Sequence, residues 1–325
     1  MLEIVNNFIN GEFAEPHNKE YLDIYEPATG SVYGKVADSS SHDINRAVES
    51  AKDASPYWSG LSMVERAHYL KKIAAEIKNR SNILAKYESR DTGKPITLAS
   101  KVDIPRAIEN FNFFANFSEN FYFKSNIESE VSINSVSKQA LGVVGCISPW
   151  NLPLYLFTWK IAPALIVGNT VLAKPSEITP LTASKLAEIC SDIGLPAGVL
   201  NIVNGSGQVA GDLLVKNKNI KAISFTGGTD TGKKIYQNSF ASFKKLSLEM
   251  GGKNPAIIFE DCNYKSMLKT VVKSSFTNQG QICLCSSRIL VEETIFEKFK
   301  TDFCNAISEL NIGDPKNDKT QFGSI

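Results

Sequence analysis

The chain has 325 residues, enough for two domains and a large buried core. Hydrophobic residues make up 43% of it and charged residues 21%, which is typical of a soluble globular protein. Its 35 basic and 34 acidic residues are balanced, so the composition favours neither a nucleic-acid partner nor an anionic membrane surface.

Neither the hydropathy pattern of the chain nor its cysteine content indicates an exported protein. The opening MLEIVNNFINGEF lacks the basic stretch and apolar run of a signal peptide. The longest apolar run is interrupted by Lys160 and Pro163, so no membrane span is predicted. We therefore expect a cytoplasmic protein with six free thiols. No metal site is predicted, because no CxxC or Cys/His ligand spacing occurs.

The first third of the chain predicts a hairpin followed by helices. Asn10-Gly11 is typical of a tight β-hairpin turn. Asp43 is a plausible cap for a helix in DINRAVESAKDA, and SMVERAHYLKKIAAEIKNR has apolar residues at helical spacing. In DIPRAIENFNFFANF, Pro105 falls in a first helical turn. This part of the chain is therefore expected to be mainly helical.

From Ala140 onwards, short β-branched runs alternate with helical segments. The runs lie in LGVVGCIS, NTVLAK, GVLNIVNG, IKAISFTGG and KLSLE. This rhythm predicts a doubly wound parallel sheet, in which ligands bind beyond the carboxyl ends of the strands. Farther on, NPAIIFE and SSRILVEE predict two strands with a helix between them. They indicate the beginning of a second α/β unit.

Glycine-rich turns follow two of the predicted strands. Gly205, Gly207 and Gly211 form a G-x-G-x-x-x-G pattern that could admit a phosphate at a helix N-terminus, although an ordinary turn explains it equally well. The segment from Gly227 to Lys233 fits G-x-x-x-x-G-K. A P-loop is disfavoured there, because a lysine follows where Ser or Thr would bind Mg²⁺.

Polar side chains stand at other predicted strand ends. In AKPSE, Lys174 and Glu177 could grip a ribose diol, and in LEMGGKNP, Glu249 could be a general base. Asn151, between two prolines in SPWNLP, could aim its amide at an oxyanion. Taken one at a time, each residue is at least as well explained as a solvated or turn-capping side chain.

The stretch FTNQGQICLCSS places Cys283 and Cys285 one residue apart. It leaves several interpretations open: half of a disulfide, a metal clip, two buried small hydrophobes, or a nucleophile with a bystander. No residue within the stretch supplies the environment that favours a thiolate.

In combination and in this order, these motifs resemble the aldehyde dehydrogenase superfamily: SPWNLP, AKPSE, FTGGTDTG, LEMGGKNP and FTNQGQICLCSSR. Three longer stretches are most similar to its muconic semialdehyde dehydrogenase group: SPWNLPLYLFTWKIAPA, KVDIPRAIENFNFFA and GQICLCSSRI. The resemblance implies a Rossmann-like doubly wound sheet plus an incomplete second α/β domain. It predicts an NAD-binding domain over 1–120 and 140–251, bridging strands over 121–139, and a partial catalytic domain over 252–325.

The resemblance also assigns the site. It implies that Cys283 is the nucleophile and Cys285 the bystander, that Asn151 and the Cys283 backbone N–H hold the oxyanion, and that Glu249 activates water. Arg106 would hold a substrate carboxylate, with Asn151 and Leu284 also at the substrate.

The cofactor implied is NAD, because Glu177 should repel a 2′-phosphate. The residues expected to contact it are Ile147, Ser148, Trp150, Lys174, Ser176, Glu177, Gly207, Gly211, Phe225, Thr226, Gly227, Gly228, Thr231, Met250 and Gly251. The expected substrate is a small aldehyde of the muconic semialdehyde type, oxidised to the acid through a cysteine thiohemiacetal and thioester.

Family members are considerably longer than this chain, so the resemblance implies that the C-terminal part of the catalytic domain is missing. Homo-oligomerisation is expected for full-length members rather than for this chain. Alternatives are the same chemistry on another aldehyde, such as betaine aldehyde, and an inactive NAD-binding protein. A phosphate-binding P-loop module is the least favoured.

Overall fold

The computed structural model describes residues 2–117, 121 and 124–324. The helices are α1 (Ser41–Gly60), α2 (Met63–Asn79), α3 (Ser81–Thr92), α4 (Ile96–Leu98), α5 (Ile104–Phe117), α6 (Pro153–Ile166), α7 (Leu181–Asp192), α8 (Asp212–Lys216), α9 (Thr229–Ser239), α10 (Tyr264–Phe276) and α11 (Glu293–Ser308). The strands are β1 (Glu3–Val5), β2 (Asn7–Ile9), β3 (Glu12–Ala14), β4 (Tyr21–Glu26), β5 (Ser31–Ala37), β6 (Lys124–Glu128), β7 (Ile133–Ser137), β8 (Val143–Ile147), β9 (Thr170–Lys174), β10 (Leu200–Ile202), β11 (Ala222–Gly227), β12 (Lys245–Met250), β13 (Asn254–Ile258) and β14 (Ser286–Val291).

A seven-stranded sheet organises the molecule, in the order β12-β11-β8-β9-β10-β2-β3. Strands β8 to β12 pair in parallel, and the hairpin β2-β3 adds an antiparallel edge beside β10. The chain steps from β8 to β9 and β10 on one side and then to β11 and β12 on the other, so the switch point lies between the carboxyl ends of β8 and β11. The predicted Rossmann-like sheet is confirmed.

Helices bury both faces of this sheet. Along β9, Val171 and Ala173 face a core built with α2, α5, α6 and α7, whereas Leu172 faces a second core built with α1 and α8. All three side chains are fully buried. Because successive side chains on a strand point to opposite faces, both layers are required to remove them from water. This explains why the strand sequences are continuous apolar runs.

The N-terminal elements agree with the predicted hairpin and correct one helix cap. Asn10 and Gly11 have φ of 58° and 82°, the left-handed values that a two-residue turn needs between β2 and β3. Helix α1 is capped by Ser40 rather than by the predicted Asp43. Asp43 lies three residues later, where its carboxylate accepts a hydrogen bond from the Ser40 N–H at 2.9 Å. The acidic residue is thus the reciprocal partner of a capping box.

The last part of the described chain forms a smaller α/β unit. Strands β13 and β14 pair in parallel, and α10 and α11 pack on them around a small core of Ile258, Val271 and Phe299. Strands β6 and β7 form a separate antiparallel pair within the predicted bridging segment. Residues 118–120, 122 and 123, on which parts of the predicted domains fall, lie outside the described residues. In the described ranges, every helix is too short or too polar to cross a membrane.

Candidate active site

A groove of about 860 Å³ lies at the carboxyl edge of the parallel sheet. It runs between the ends of β8 and β9 and the helical segments that follow β10 and β11. Its lining includes six of the residues expected to contact a cofactor, namely Ile147, Lys174, Glu177, Gly207, Gly211 and Thr231. Asp212, Lys234 and Asn238 complete its polar wall. A dinucleotide-sized ligand therefore has space beside the switch point of the sheet.

Lys174 and Glu177 form an ion pair at the floor of this groove. The Lys174 ammonium lies 3.1 Å from a Glu177 carboxylate oxygen, and the other oxygen accepts the Gly207 N–H at 3.2 Å. Burial lowers the pKa of Lys174. Burial raises the pKa of Glu177, but the adjacent ammonium and the hydrogen bonds outweigh it, so the net pKa lies below the ordinary value. The Lys174 ammonium and the Gly207 N–H thus hold the Glu177 carboxylate in one orientation at the lining of the groove.

Two glycines leave the groove open beside the main chain. A side chain at Gly207 or Gly228 would meet no protein atom within 4 Å. Gly228 caps the N-terminus of α9, where the free N–H groups favour an anion. Internal packing therefore does not require glycine at either position. The open space would instead let a pyrophosphate approach the backbone.

The other residues predicted to bind the cofactor lie in several different surroundings. Phe225 is buried in the hydrophobic core and is not among the residues that line the groove. Thr226 accepts a hydrogen bond from Lys160 at 2.6 Å. Ser148 is buried, and its N–H donates to the Lys174 carbonyl oxygen. Partly or fully exposed positions are taken by Trp150, Ser176, Gly227, Met250 and Gly251. Their role in binding NAD stays a prediction.

Glu249 lies near the end of β12 and is exposed. It lines a cavity of about 430 Å³ together with Lys160, a buried lysine of α6. Burial lowers the pKa of Lys160, and the negative charge of Glu249 partly opposes that shift. A carboxylate at the end of a strand, lining a cavity, is the kind of group that can act as a general base.

The two cysteines of the CLC stretch have different surroundings. Cys283 is exposed, and its carbonyl oxygen accepts a hydrogen bond from the Asn254 amide at 2.5 Å. Cys285 is buried, with its Sγ 3.5 Å from the Thr277 carbonyl oxygen. Of these two thiols, only that of Cys283 is accessible to a substrate from solvent. No hydrogen bond between described residues joins Cys283 to Glu249.

Asn151 is fastened to the cysteine loop by two hydrogen bonds in opposite directions. Its side-chain Nδ2 donates to the Gln281 carbonyl oxygen at 2.6 Å, and its own carbonyl oxygen accepts the Asn278 amide at 3.1 Å. The Lys94 ammonium donates to the same carbonyl oxygen at 3.0 Å. One Nδ2 hydrogen of Asn151 remains for a substrate oxygen. The structure thus brings Asn151 to the loop that carries Cys283.

Arg106 and Leu284, the predicted substrate contacts, are both accessible. Leu284 is 79% exposed. The Arg106 guanidinium is about half exposed, donates to Glu109 and to the Tyr155 hydroxyl at 3.2 Å each, and lies over the Tyr155 ring. It is therefore held on the surface of α5 with donors left for a further anion.

The sequence motifs predict no role at the site for Lys94, Lys160 or Asn278. A lysine inside the apolar run of α6 was a detectable signal, because lysine is almost never fully buried without a partner. Lys94 and Asn278 carried no such signal, since their importance lies in contacts with residues far along the chain.

The described residues also bear on two other kinds of site, a metal site and a P-loop. In the described ranges, no three His, Cys, Asp or Glu side chains are grouped to hold a metal ion. Lys233, the lysine of the P-loop-like segment, is exposed and lies 3.5 Å from Asp230 of its own helix. It does not reach back over the glycine turn.

The chain was compared with known proteins. The family model described as the aldehyde dehydrogenase family matches residues 13–325. The chain is 47% identical to a 2-aminomuconic semialdehyde dehydrogenase of Danio rerio, over 99% of this chain and 66% of that protein. It is 40% identical to a 5-carboxymethyl-2-hydroxymuconate semialdehyde dehydrogenase of Escherichia coli, over 99% and 68%. A betaine aldehyde dehydrogenase of Staphylococcus aureus, solved with NAD⁺, superposes with a TM-score of 0.94 at 34% identity, over 98% and 63%. The chain spans about two thirds of the length of the curated relatives it matches.

Proposed function

The chain belongs to the aldehyde dehydrogenase family, and we propose that it serves the NAD-dependent oxidation of an aldehyde to a carboxylic acid. One observation carries the proposal: the loop with the exposed Cys283 thiol is hydrogen-bonded to Asn151, which follows β8, and the end of β8 lines a dinucleotide-sized groove. A nucleophile, an oxyanion donor and a cofactor groove at the carboxyl edge of one parallel sheet are the parts that this reaction needs.

In the proposed mechanism, the Cys283 thiolate attacks the aldehyde carbon and forms a thiohemiacetal. The Asn151 amide and the Cys283 backbone N–H donate to the oxygen that becomes negative. This alkoxide is a good hydride donor, whereas an aldehyde hydrate is a poor one. After the hydride leaves, a thioester remains on Cys283. Glu249 then removes a proton from water, and the resulting attack releases the acid and the thiolate.

The groove residues fit NAD. When bound, NAD supplies the hydride acceptor. Lys174 and Glu177 would hold the adenosine ribose, and the open backbone at Gly207 and Gly228 would admit the pyrophosphate. Because the Glu177 carboxylate is ionised, it should repel a 2′-phosphate, which favours NAD over NADP.

We propose a muconic-type semialdehyde as substrate. Relatives named for such substrates are 38% to 47% identical to this chain. Such a substrate carries a carboxylate, and the half-exposed Arg106 guanidinium could bind it. Replacement of Arg106 by Ala should reduce the preference for a carboxylate-bearing over a neutral aldehyde about tenfold. Lys101→Ala, an exposed cation one turn away, is the matched control. An unchanged preference in the Arg106 variant would remove Arg106 from the proposal.

The decisive experiment measures NADH formation by the purified 325-residue protein with NAD and 2-hydroxymuconic semialdehyde. We expect turnover that Cys283→Ala abolishes and Cys285→Ala leaves within about twofold, since only the first thiol is exposed. A folded protein that binds NAD without turnover would instead indicate an NAD-binding protein. Faster turnover of betaine aldehyde would redirect the substrate proposal and leave the chemistry in place.

A further inference from the structure

A buried cluster behind Asn151 is not used by the proposed mechanism. Lys94, after the end of α3, is fully buried, and its ammonium lies 2.5 Å from an Asp103 carboxylate oxygen. The same ammonium donates to the Asn151 carbonyl oxygen. Removing a lysine from water is costly even when it is paired. The burial of this ammonium beside one backbone carbonyl oxygen therefore needs a structural or functional reason.

The Asn278 side chain adds a second donor to the same oxygen. Asn278 is buried, and its amide donates to the Asn151 carbonyl at 3.1 Å. Its backbone is left-handed, with φ of 54° and ψ of 42°, and Gln279 beside it is left-handed as well. Two consecutive non-glycine residues in this region are strained, and such strain persists only where surrounding contacts hold it. Here those contacts lead from the cysteine loop to Asn151.

These contacts determine where the Asn151 amide can lie. Its Oδ1 is buried and has no hydrogen-bond donor among the described residues, so the side chain is held through Nδ2 alone. Its main chain, in contrast, is fastened by two donors that converge from different segments. The position of the amide over the cysteine loop therefore depends mainly on the Asn151 backbone.

We propose that Asn278 and Lys94 are positioning residues of the oxyanion site, an inference that rests on the proposed function. By donating to the Asn151 carbonyl oxygen, they hold the Asn151 amide at the distance from Cys283 where it can donate to a developing oxyanion. Neither residue touches the substrate. Asp103 neutralises the ammonium so that the buried cation is tolerated.

Two reactions of Cys283 separate positioning from general damage. With p-nitrophenyl acetate, the thiolate attacks the carbonyl, an oxyanion forms, p-nitrophenolate leaves, and Cys283 becomes acetylated. With iodoacetamide, the thiolate forms an S–C bond as iodide leaves, and no oxyanion develops. A positioning defect should slow acylation and spare alkylation, because only acylation needs the Asn151 amide.

The test uses the full chain with Asn278→Gly, which keeps the left-handed backbone and deletes the donor. We expect the acylation rate constant to fall about tenfold and the alkylation rate constant to stay within about twofold. Asn278→Asp, whose carboxylate oxygens would face the Asn151 carbonyl, should lower acylation at least as far. Asn10→Gly is the matched control, a left-handed Asn in an exposed turn, and should change neither rate.

Lys94→Met should reproduce the selective loss if it folds, as judged by circular dichroism. Equal falls in both rates, or no fall in acylation, for Asn278→Gly would overturn the proposal. Absence of p-nitrophenolate release from the unaltered chain would also overturn it, because the contacts would then build no working oxyanion site. Normal acylation without NADH formation would count against the proposed function alone.

Discussion

The parallel-sheet region and the cysteine region of this protein are held together in different ways. Around β8 and β9, nearly every side chain is buried, and both faces of the sheet are covered. Around β13 and β14, the core is small, and Ile257 and Leu290 are 61% and 54% exposed. The groove proposed for the cofactor is thus built on a well-buried frame. Cys283, the proposed nucleophile, lies on a unit whose own hydrophobic burial is slight.

The cysteine region is instead fastened to the rest of the chain by polar contacts. Besides the Asn151 contacts, the Ser324 N–H donates to the Gly93 carbonyl, and the Ile96 N–H donates to the Pro315 carbonyl. Hydrogen bonds are directional and weak in net free energy, while apolar burial is strong and non-directional. From this difference we infer that folding stability comes from the sheet region and that the position of Cys283, the proposed nucleophile, depends on these few bonds.

The largest effect should follow from emptying the core of the sheet region. Phe157→Ala in α6 removes a fully buried ring and should lower the free energy of unfolding by about 4 kcal/mol. Phe296→Ala in α11 removes a ring that is 44% exposed and should cost less than about 1 kcal/mol. Urea unfolding of the two variants measures both values. Equal losses would contradict the contrast between the regions.

Breaking the buried ion pair of Lys94 should cost more stability than breaking an exposed ion pair of the cysteine region. Lys94→Met leaves Asp103 buried without its cation and should cost about 3 kcal/mol, part of which a second change, Asp103→Leu, should restore. Lys298→Ala removes an equally short pair with Asp302 in α11, but that pair is on the surface and screened by solvent, so the loss should be much smaller than that of Lys94→Met. Thermal and urea unfolding would show this ordering, and a costly Lys298→Ala would argue against it.

NAD should stabilise the protein through the sheet region alone. At a concentration of about 100 times Kd, NAD should add about 2.7 kcal/mol to the free energy of unfolding. Lys174→Ala should lose most of this increment at the same concentration, and Cys283→Ala should keep it. Calorimetric titration and thermal shift measure binding without turnover. Loss of the increment in the Cys283 variant would show that the two regions bind NAD together.

The smallest effect concerns pH and a buried carboxyl group. Burial raises the pKa of Asp91 to about 8, although the Tyr33 hydroxyl and the Leu181 N–H donate to it. The folded state then holds a proton that the unfolded state releases near its ordinary pKa of about 4. Stability is therefore present at low pH and falls as the pH rises toward 8, by about 2 kcal/mol between pH 6 and pH 8. Asp91→Asn should remove the Asp91 share of this slope and leave that of Glu88, whose burial raises its pKa to about 7, as urea midpoints at both pH values would reveal.

Much of the fold could be predicted because its signals are local. The Asn10-Gly11 turn, the Pro105 position in α5 and the alternation of strands and helices after Ala140 all appear in the structure. The cap of α1 was misplaced from Ser40 to Asp43, since both residues fit an N-cap and only their mutual hydrogen bond distinguishes them. Phe225 is buried in the core, and its predicted contact with the cofactor stays a prediction.

By itself, the sequence determined the parallel sheet, its ligand-binding edge and the membership of the family, because periodicity and short motifs are properties of neighbouring residues. Tertiary structure alone decided that Lys94 is buried behind Asn151, that Asn278 reaches across 127 residues to the same oxygen, and that Lys160 faces Glu249. Such contacts join segments distant in the chain, and no spacing encodes them. The physical reason is that burial and hydrogen-bond direction arise only when the layers have packed.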